Sequence, residues 1–313
     1  DNISRLVLNP QLSLPITRSY GHFTPALGLF GSLYQTENQR YSNKQWYFHT
    51  SGALYLDRQS SSGSQSLIPH FSYLNMPYTD QSQLPLIDSN ELPMLFDTLF
   101  YPRRFSGWDR FGDLHRFSWG LKNQWNNQQG QQLASIELAH ARILSDQKQS
   151  AGISATPLKA SDDIGALRTE LNFSSSTSIS GEILSINQVT DYDSGTVILR
   201  YAANSDDQLE LRHDFRSNYF RQTSFIYTNR LNSRWRIATR GAYSNKHKRI
   251  REGLVGLEYN NCCWSLRFVA RRYANVLGEA PKNAVAVQFE LKGLTSIGSR
   301  LEDTFSKELF GIQ

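Results

Sequence analysis

Apolar and polar side chains alternate with a period of two along most of this 313-residue chain. In "HRFSWGLKNQW" an extended backbone puts Phe117, Trp119, Leu121 and Trp125 on one face and Arg116, Ser118, Lys122 and Gln124 on the other. "GTVILRYAAN" sets Val197, Leu199, Tyr201 and Ala203 against Thr196, Arg200 and Ala202, and "SRWRIATRGAYS" sets Trp235, Ile237 and Tyr243 against Arg234, Arg236 and Arg240. "NAVAVQFELKG" separates Val285, Val287, Phe289 and Leu291 from Ala286, Gln288, Glu290 and Lys292. A soluble sandwich alternates in the same way. Arginines on the polar faces, with few apolar helices to cover a sheet, favour polar faces that enclose water. Strands of about 10 residues with their connections predict roughly 14 to 17 strands. Connections are tight at 229–233, around Asn204 and at 260–261, and long and irregular at 57–65, 74–105 and 145–163.

The predicted fold class is therefore all-β, an antiparallel transmembrane β-barrel. One domain of barrel strands covers residues 1–293, and a periplasmic tail over 294–313, where alternation is lost, reads as a short helix.

Composition sharpens this picture. Only 39% of residues are hydrophobic and the mean hydropathy is −0.49, yet 12% are aromatic, with 15 Tyr, 17 Phe and 6 Trp. Low hydropathy alone points towards disorder, whereas so many rings point to ordered structure. No run of 18 apolar residues exists, which excludes a transmembrane helix. A barrel wall reconciles these facts, because only alternate residues meet lipid and aromatic girdles mark both interfaces. The 33 Lys and Arg exceed the 28 acids only mildly and form no basic helix, so no nucleic-acid partner is expected. The opening "DNISRLVLNP" has no signal-peptide pattern, so any leader is removed or lies upstream.

Cys262 and Cys263 are the only cysteines. Bridging neighbours closes a strained ring, and successive residues of an extended segment face opposite ways. The pair suits two separate partners outside this sequence; two incidental or buried thiols are the plainer alternative. If the turn at 260–262 is periplasmic, the strand 263–273 runs outward, 274–282 is an external loop and 283–292 returns. The segment 245–252 then falls outside and 229–233 inside. Both thiols lie at the oxidising periplasmic rim, where disulfides persist.

Catalytic signals are weak. The seven histidines are scattered, and neither a nucleophile elbow nor paired metal-ligand spacing occurs. We expect no enzyme, no cofactor and no metal; a barrel hydrolase would depend on a residue such as His115, His140 or His213. "RRFSGWDR" reads as a loop closure, with Gly107 allowing a left-handed turn and Arg104, Asp109 and Arg110 forming an ion-paired scaffold. A loop folded into the lumen is the functional alternative.

Three stretches carry a family resemblance. "LVGLEYNNCCWSLRFVARRY" followed by "NAVAVQFELKGL" resembles the C-terminal barrel strands of the outer-membrane LPS-assembly protein LptD family. "LFYPRRFSGWDRFGDLHRFSWGLKNQW" and "LIPHFSYLNMPYTDQSQLPLIDS" are similar to that family's preceding segments, and all three occur in family order. The resemblance implies the C-terminal part of a barrel of about 26 strands, preceded by a periplasmic jellyroll that lies outside this sequence.

It also implies lipopolysaccharide (LPS) as cargo, an LptE-type plug lipoprotein as partner, and a periplasmic LPS bridge protein joined through the jellyroll. Cys262 and Cys263 would each pair with a cysteine of the N-terminal domain. LPS would leave laterally beside the last strand, 283–292, with Val285, Val287, Phe289 and Leu291 on its lipid face. Lys246, Lys248, Arg249 and Arg251 become candidate contacts for LPS phosphates, with a merely solvated loop as the plain alternative. The arginines Arg234, Arg236, Arg240, Arg267 and Arg271 could likewise meet sugar phosphates or the plug. A general diffusion porin of about 16 strands is the competing reading.

Overall fold

The structure, a computed structural model, describes residues 3–37, 39–149, 157–187, 192–204, 206–217, 220–273, 281–291 and 295–297. It contains β1 (Ser4–Leu8), β2 (Gln11–Ser13), β3 (Ile16–Arg18), β4 (Gly21–Gln35), β5 (Arg40–Leu54), β6 (Leu56–Ser60) and β7 (Gly63–Met76). A 3-10 turn (Asp97–Leu99) precedes β8 (Leu114–Asn127), β9 (Gln132–Ile143), β10 (Asp163–Asn172), β11 (Thr177–Ile186), β12 (Ser194–Ala202) and β13 (Gln208–Arg216). Then follow β14 (Phe220–Arg230), β15 (Trp235–Ser244), β16 (Arg249–Asn260), β17 (Trp264–Tyr273), β18 (Lys282–Leu291) and β19 (Thr295–Ile297). The fold class matches the expectation: all-β, with antiparallel pairing wherever a register is defined.

Several short strands are pieces of longer lanes. β1, β2 and β3 all pair with β4 in one unbroken register, from Ser4↔Gln35 through Gln11↔Gly28 to Arg18↔Gly21. Proline causes the interruptions. Leu29 N donates to Pro10 O and Leu14 N donates to Pro25 O, both at 3.0 Å, but neither proline has an N–H to return the second bond of its pair. β5 and β6 likewise share one register against β7. Merged this way, the 19 strands make 16 lanes among the described residues, inside the expected range.

The chain divides into two compact units, Asp1–Thr169 with Glu182–Ser194, and Glu170–Gly181 with Gly195–Gln313. In the first, the side chains of β4, β5, β7, β8 and β9 on one face are covered by the long segment 77–113. Phe30, Tyr47, Leu74, Met76, Leu114, Ala141 and Ile143 from the strands close on Phe96, Leu99 and Phe111 from that segment. The Phe30 and Phe111 rings stack with centroids 4.1 Å apart. In the second unit, β13 to β18 form an antiparallel meander with one charged face.

Three boundaries differ from expectation. Residues 57–65 are not a long loop but a tight hairpin, because Ser60↔Gly63 closes β6 onto β7 and Gly63 takes φ +146° where a Cβ would meet Asn126 O at 2.0 Å. β17 starts at Trp264, so both cysteines sit in the turn rather than one in a strand. β18 is followed by β19, which pairs with Phe289–Leu291, so 295–297 is strand where a helical tail was expected. The remainder of the tail, and most of the loop expected at 274–282, lie outside the described residues.

Candidate functional site

The distribution of exposure is inverted relative to a water-soluble protein. On β4, Leu27, Leu29 and Leu33 are exposed, while the alternate Phe30, Ser32 and Tyr34 are buried. Trp46, Phe117, Trp119 and Leu138 are exposed beside buried Gln45, Arg116 and Ser118. In the second unit Val255, Phe268, Val285 and Val287 are exposed while Glu258, Ser265 and Gln288 are buried. Alternation at period two produces this segregation, and in each unit an exposed apolar face of this extent needs a non-aqueous surrounding. The exposed aliphatic faces are those expected to meet lipid.

The polar face of the first unit is organised around Asp109, which is fully buried. Its carboxylate accepts from the backbone N–H groups of Ile87 (2.7 Å), Asp88 (2.5 Å) and Ser89 (3.1 Å), and from the Tyr34 hydroxyl at 3.0 Å. Arg5 of β1 donates to Asp109 at 2.5 Å and to Asp88 at 2.7 Å. Gly107 adopts φ +63°, and a Cβ there would lie 2.4 Å from Asp88 O. Arg104 meets Glu91 at 2.9 Å and Asp113 at 3.6 Å, and Arg110 donates to the carbonyls of Leu84 (3.0 Å) and Pro85 (3.3 Å). The segment is folded onto one face of its sheet, where Asp109 ties it to β1 and β4, while Arg104, Gly107 and Arg110 brace it internally, Arg110 through carbonyls rather than an ion pair. Asp113 in turn accepts from the backbone N–H groups of Lys148 and Gln149, fastening the next long connection.

In the second unit the connections at one end are short and built by asparagine. Asn204 Oδ1 accepts from Asp206 and Asp207 N–H, Asn232 Oδ1 from Arg234 and Trp235 N–H, and Asn261 Oδ1 from Cys262 N–H. Such side-chain-to-backbone bonds replace the ladder across a reversal. Both cysteines are exposed in the third of these turns, with sulfurs 2.6 Å apart. They lie side by side, not on opposite faces as strand alternation suggested. Just beyond the turn, four rings cross four successive strands: Trp235, Tyr259, Trp264 and Phe289, with centroids 4.9, 5.0 and 5.8 Å apart.

β18 pairs with β17 over ten positions from Tyr273↔Lys282 to Trp264↔Leu291, and among the described residues its other edge meets β19 at Phe289, Glu290 and Leu291. Val285, Val287 and Phe289 are its exposed apolar side chains, with Leu291 half-buried.

The four basic residues of "NKHKRIR" do not form one cluster. Lys246 and Lys248 are exposed in the turn, whereas Arg249 and Arg251 belong to β16 and are half-buried. The arginines expected to be lumenal mostly have acidic neighbours: Arg236 with Asp206 (2.7 Å), Arg240 with Glu252 (3.6 Å), Arg267 with Glu258 (3.1 Å) and Glu290 (3.3 Å), and Arg271 with Glu252 (3.0 Å). Arg234 lies exposed in its turn. The histidines have structural partners: His115 meets the Tyr73 hydroxyl (3.0 Å), His140 meets Asp163 (3.2 Å) and His213 meets Thr223 Oγ1 (2.9 Å).

Sequence reading missed Arg5, Tyr34, Asp88 and Ser89 as members of the Asp109 cluster. Their separations of 20 to 104 residues leave no local signal. The one legible hint was Gly107 beside two charged residues.

A family model described as "LPS transport system D" matches residues 1–290. The LPS-assembly protein LptD of Nitrosococcus oceani is 27% identical over 98% of this chain and 43% of its own length. Those of Nitrosospira multiformis and Pseudomonas aeruginosa are 29% and 27% identical, over 95% and 98% of the chain and 33% and 40% of theirs. The chain thus spans less than half the length of these curated relatives.

Proposed function

This chain belongs to the LptD family, and from that premise we propose that it forms part of the outer-membrane barrel that delivers LPS to the outer leaflet. It is a transport and assembly protein, integral to the outer membrane, and not a catalyst. The observation that carries the reading is the apolar exterior on sheets whose alternate face is polar or covered by a folded segment. Lipid tails solvate the first face; the second suits a route for sugars.

LPS leaves sideways next to β18. Backbone groups without partners in hydrocarbon cost several kcal/mol each, so a seam opens most easily where few ladder bonds span it; among the described residues, Phe289–Leu291 of β18 meet β19. The exposed Cys262 and Cys263 bond to cysteines of the N-terminal periplasmic region, outside this chain. These links align that region, and the bridge protein it engages, with the exit. A plug lipoprotein of the LptE type occupies the interior, and no metal or organic cofactor is required.

Non-reducing electrophoresis of the full-length protein from cells tests this. We expect a band whose mobility shifts on reduction, lost in the C262S/C263S variant together with correct LPS export. A redox-independent band and normal export in that variant would overturn the disulfide assignment, and unchanged LPS delivery on depletion of the protein would overturn the function. A general diffusion porin would give the redox-independent band.

A further inference from the structure

The second unit holds a polar cleft of about 470 Å³ that brings together three arginines which the sequence offered only as separate phosphate contacts. Arg240, Arg251 and Arg271 converge on it from the adjacent strands β15, β16 and β17, with Gln222 and Ser224 of β14 on the other wall. Acidic groups are fewer than the cations they face. Glu252 is shared between Arg271 (3.0 Å) and Arg240 (3.6 Å), while Glu210 and Asp214 are engaged by Arg200 and Arg212, each at 2.8 Å. Arg251 has no ion-pair partner among the described residues. Arg271 keeps a buried Nε without an acceptor. A buried guanidinium donor left unmatched is costly, so this cleft is built short of negative charge.

The backbone shows how Arg251 reaches it. Strict alternation from Glu252 would send Arg251 to the lipid face with Gly253 and Val255. The register shifts there: Ala242 pairs with Glu252 and Tyr243 with Ile250, leaving Arg251 as the extra residue of a bulge. Bulges re-aim side chains, and this one adds a cation to the inner face while Ile250 stays exposed outside.

We infer that the cleft binds a phosphate monoester carried on a saccharide. Arg251 and Arg271 take the phosphate, for which a planar guanidinium offers paired donors, Arg240 adds charge, and Gln222 and Ser224 bond to sugar hydroxyls. The site deepens the transport reading, which supplies the source of the ligand: the phosphorylated inner sugars of LPS on their way out.

The test is calorimetric, on the full-length protein purified in detergent with its native partners. The ligands are the water-soluble core oligosaccharide released from LPS by mild acid, the same oligosaccharide after dephosphorylation, and inorganic phosphate. We expect the phosphorylated form to bind at least about tenfold more tightly than the other two. R251Q should abolish that preference and R251K should retain part of it. R251Q removes no ion pair of the described structure, so assembly, followed as heat-modifiable migration, should be unchanged.

Equal binding of phosphorylated and dephosphorylated sugar, or an unaltered preference in R251Q, overturns the site. Inorganic phosphate binding as tightly as the oligosaccharide overturns its saccharide half, and displacement by an acidic peptide but not by the phosphosugar assigns the cleft to a protein partner. If the preference holds but intact LPS fails to compete, the site stands and the transport reading falls.

Discussion

Asp109 concentrates more of the inner architecture than any other single side chain of the first unit, since five donors converge on its two oxygens. Asp109→Ala removes the acceptor of the Tyr34 hydroxyl and of three backbone N–H groups and leaves Arg5 with Asp88 alone, and loss of one partner from a buried charged network costs about 3–5 kcal/mol. We expect a limited protease to cut within 77–113 in that variant while the strands survive. Gly107→Ala should act in the same direction, because the added carbon collides with backbone and the left-handed conformation disfavours it. Asp88 makes the segment pH-sensitive. The Arg5 guanidinium donating to it holds its carboxyl well below the usual carboxylate range. Such a group stabilises the fold above its unfolded pKa of about 3.9, and the contribution is lost as pH falls further. Acrylamide quenching of Trp108, whose N–H donates to Asp88 at 2.9 Å, should therefore rise below about pH 4 in the wild type and change little in D88N.

At the scale of strands, alternation was readable because each face has one solvent. An arginine at Val255, mid-strand on the lipid side, should cost about 2–4 kcal/mol, measurable as a lower urea midpoint for the folded barrel; a glutamate at Ser224, in the arginine-lined cleft of the opposite face, should be far milder. Sequence pattern could not show where lanes break. Pro10 and Pro25 interrupt hydrogen bonding without interrupting register, since proline deletes a donor but leaves the side-chain period intact. Alanine at both positions returns two donors, and the amides of Leu14 and Leu29 should then exchange more slowly with deuterated solvent. The bulge at Arg251 was equally hidden, because one inserted residue looks like any charged position near a strand end. The cysteine turn was misjudged by one residue for a related reason: Asn261 capping Cys262 N–H extends the reversal through Cys263.

For the molecule as a whole, class, pairing and family were legible, since period two is written into each strand and the "NNCCW" and "RRFSGWDR" stretches carry the family resemblance. The covering segment was legible only as a long connection; its burial depends on partners up to 104 residues away. The row Trp235, Tyr259, Trp264 and Phe289 has a practical consequence. Two indoles fixed at one depth give the protein an internal optical gauge. Brominated acyl chains carrying the heavy atom near the carbonyl should dim Trp235 and Trp264 more than chains brominated at the methyl end, so vesicle fluorescence can report the height at which this wall floats in a leaflet.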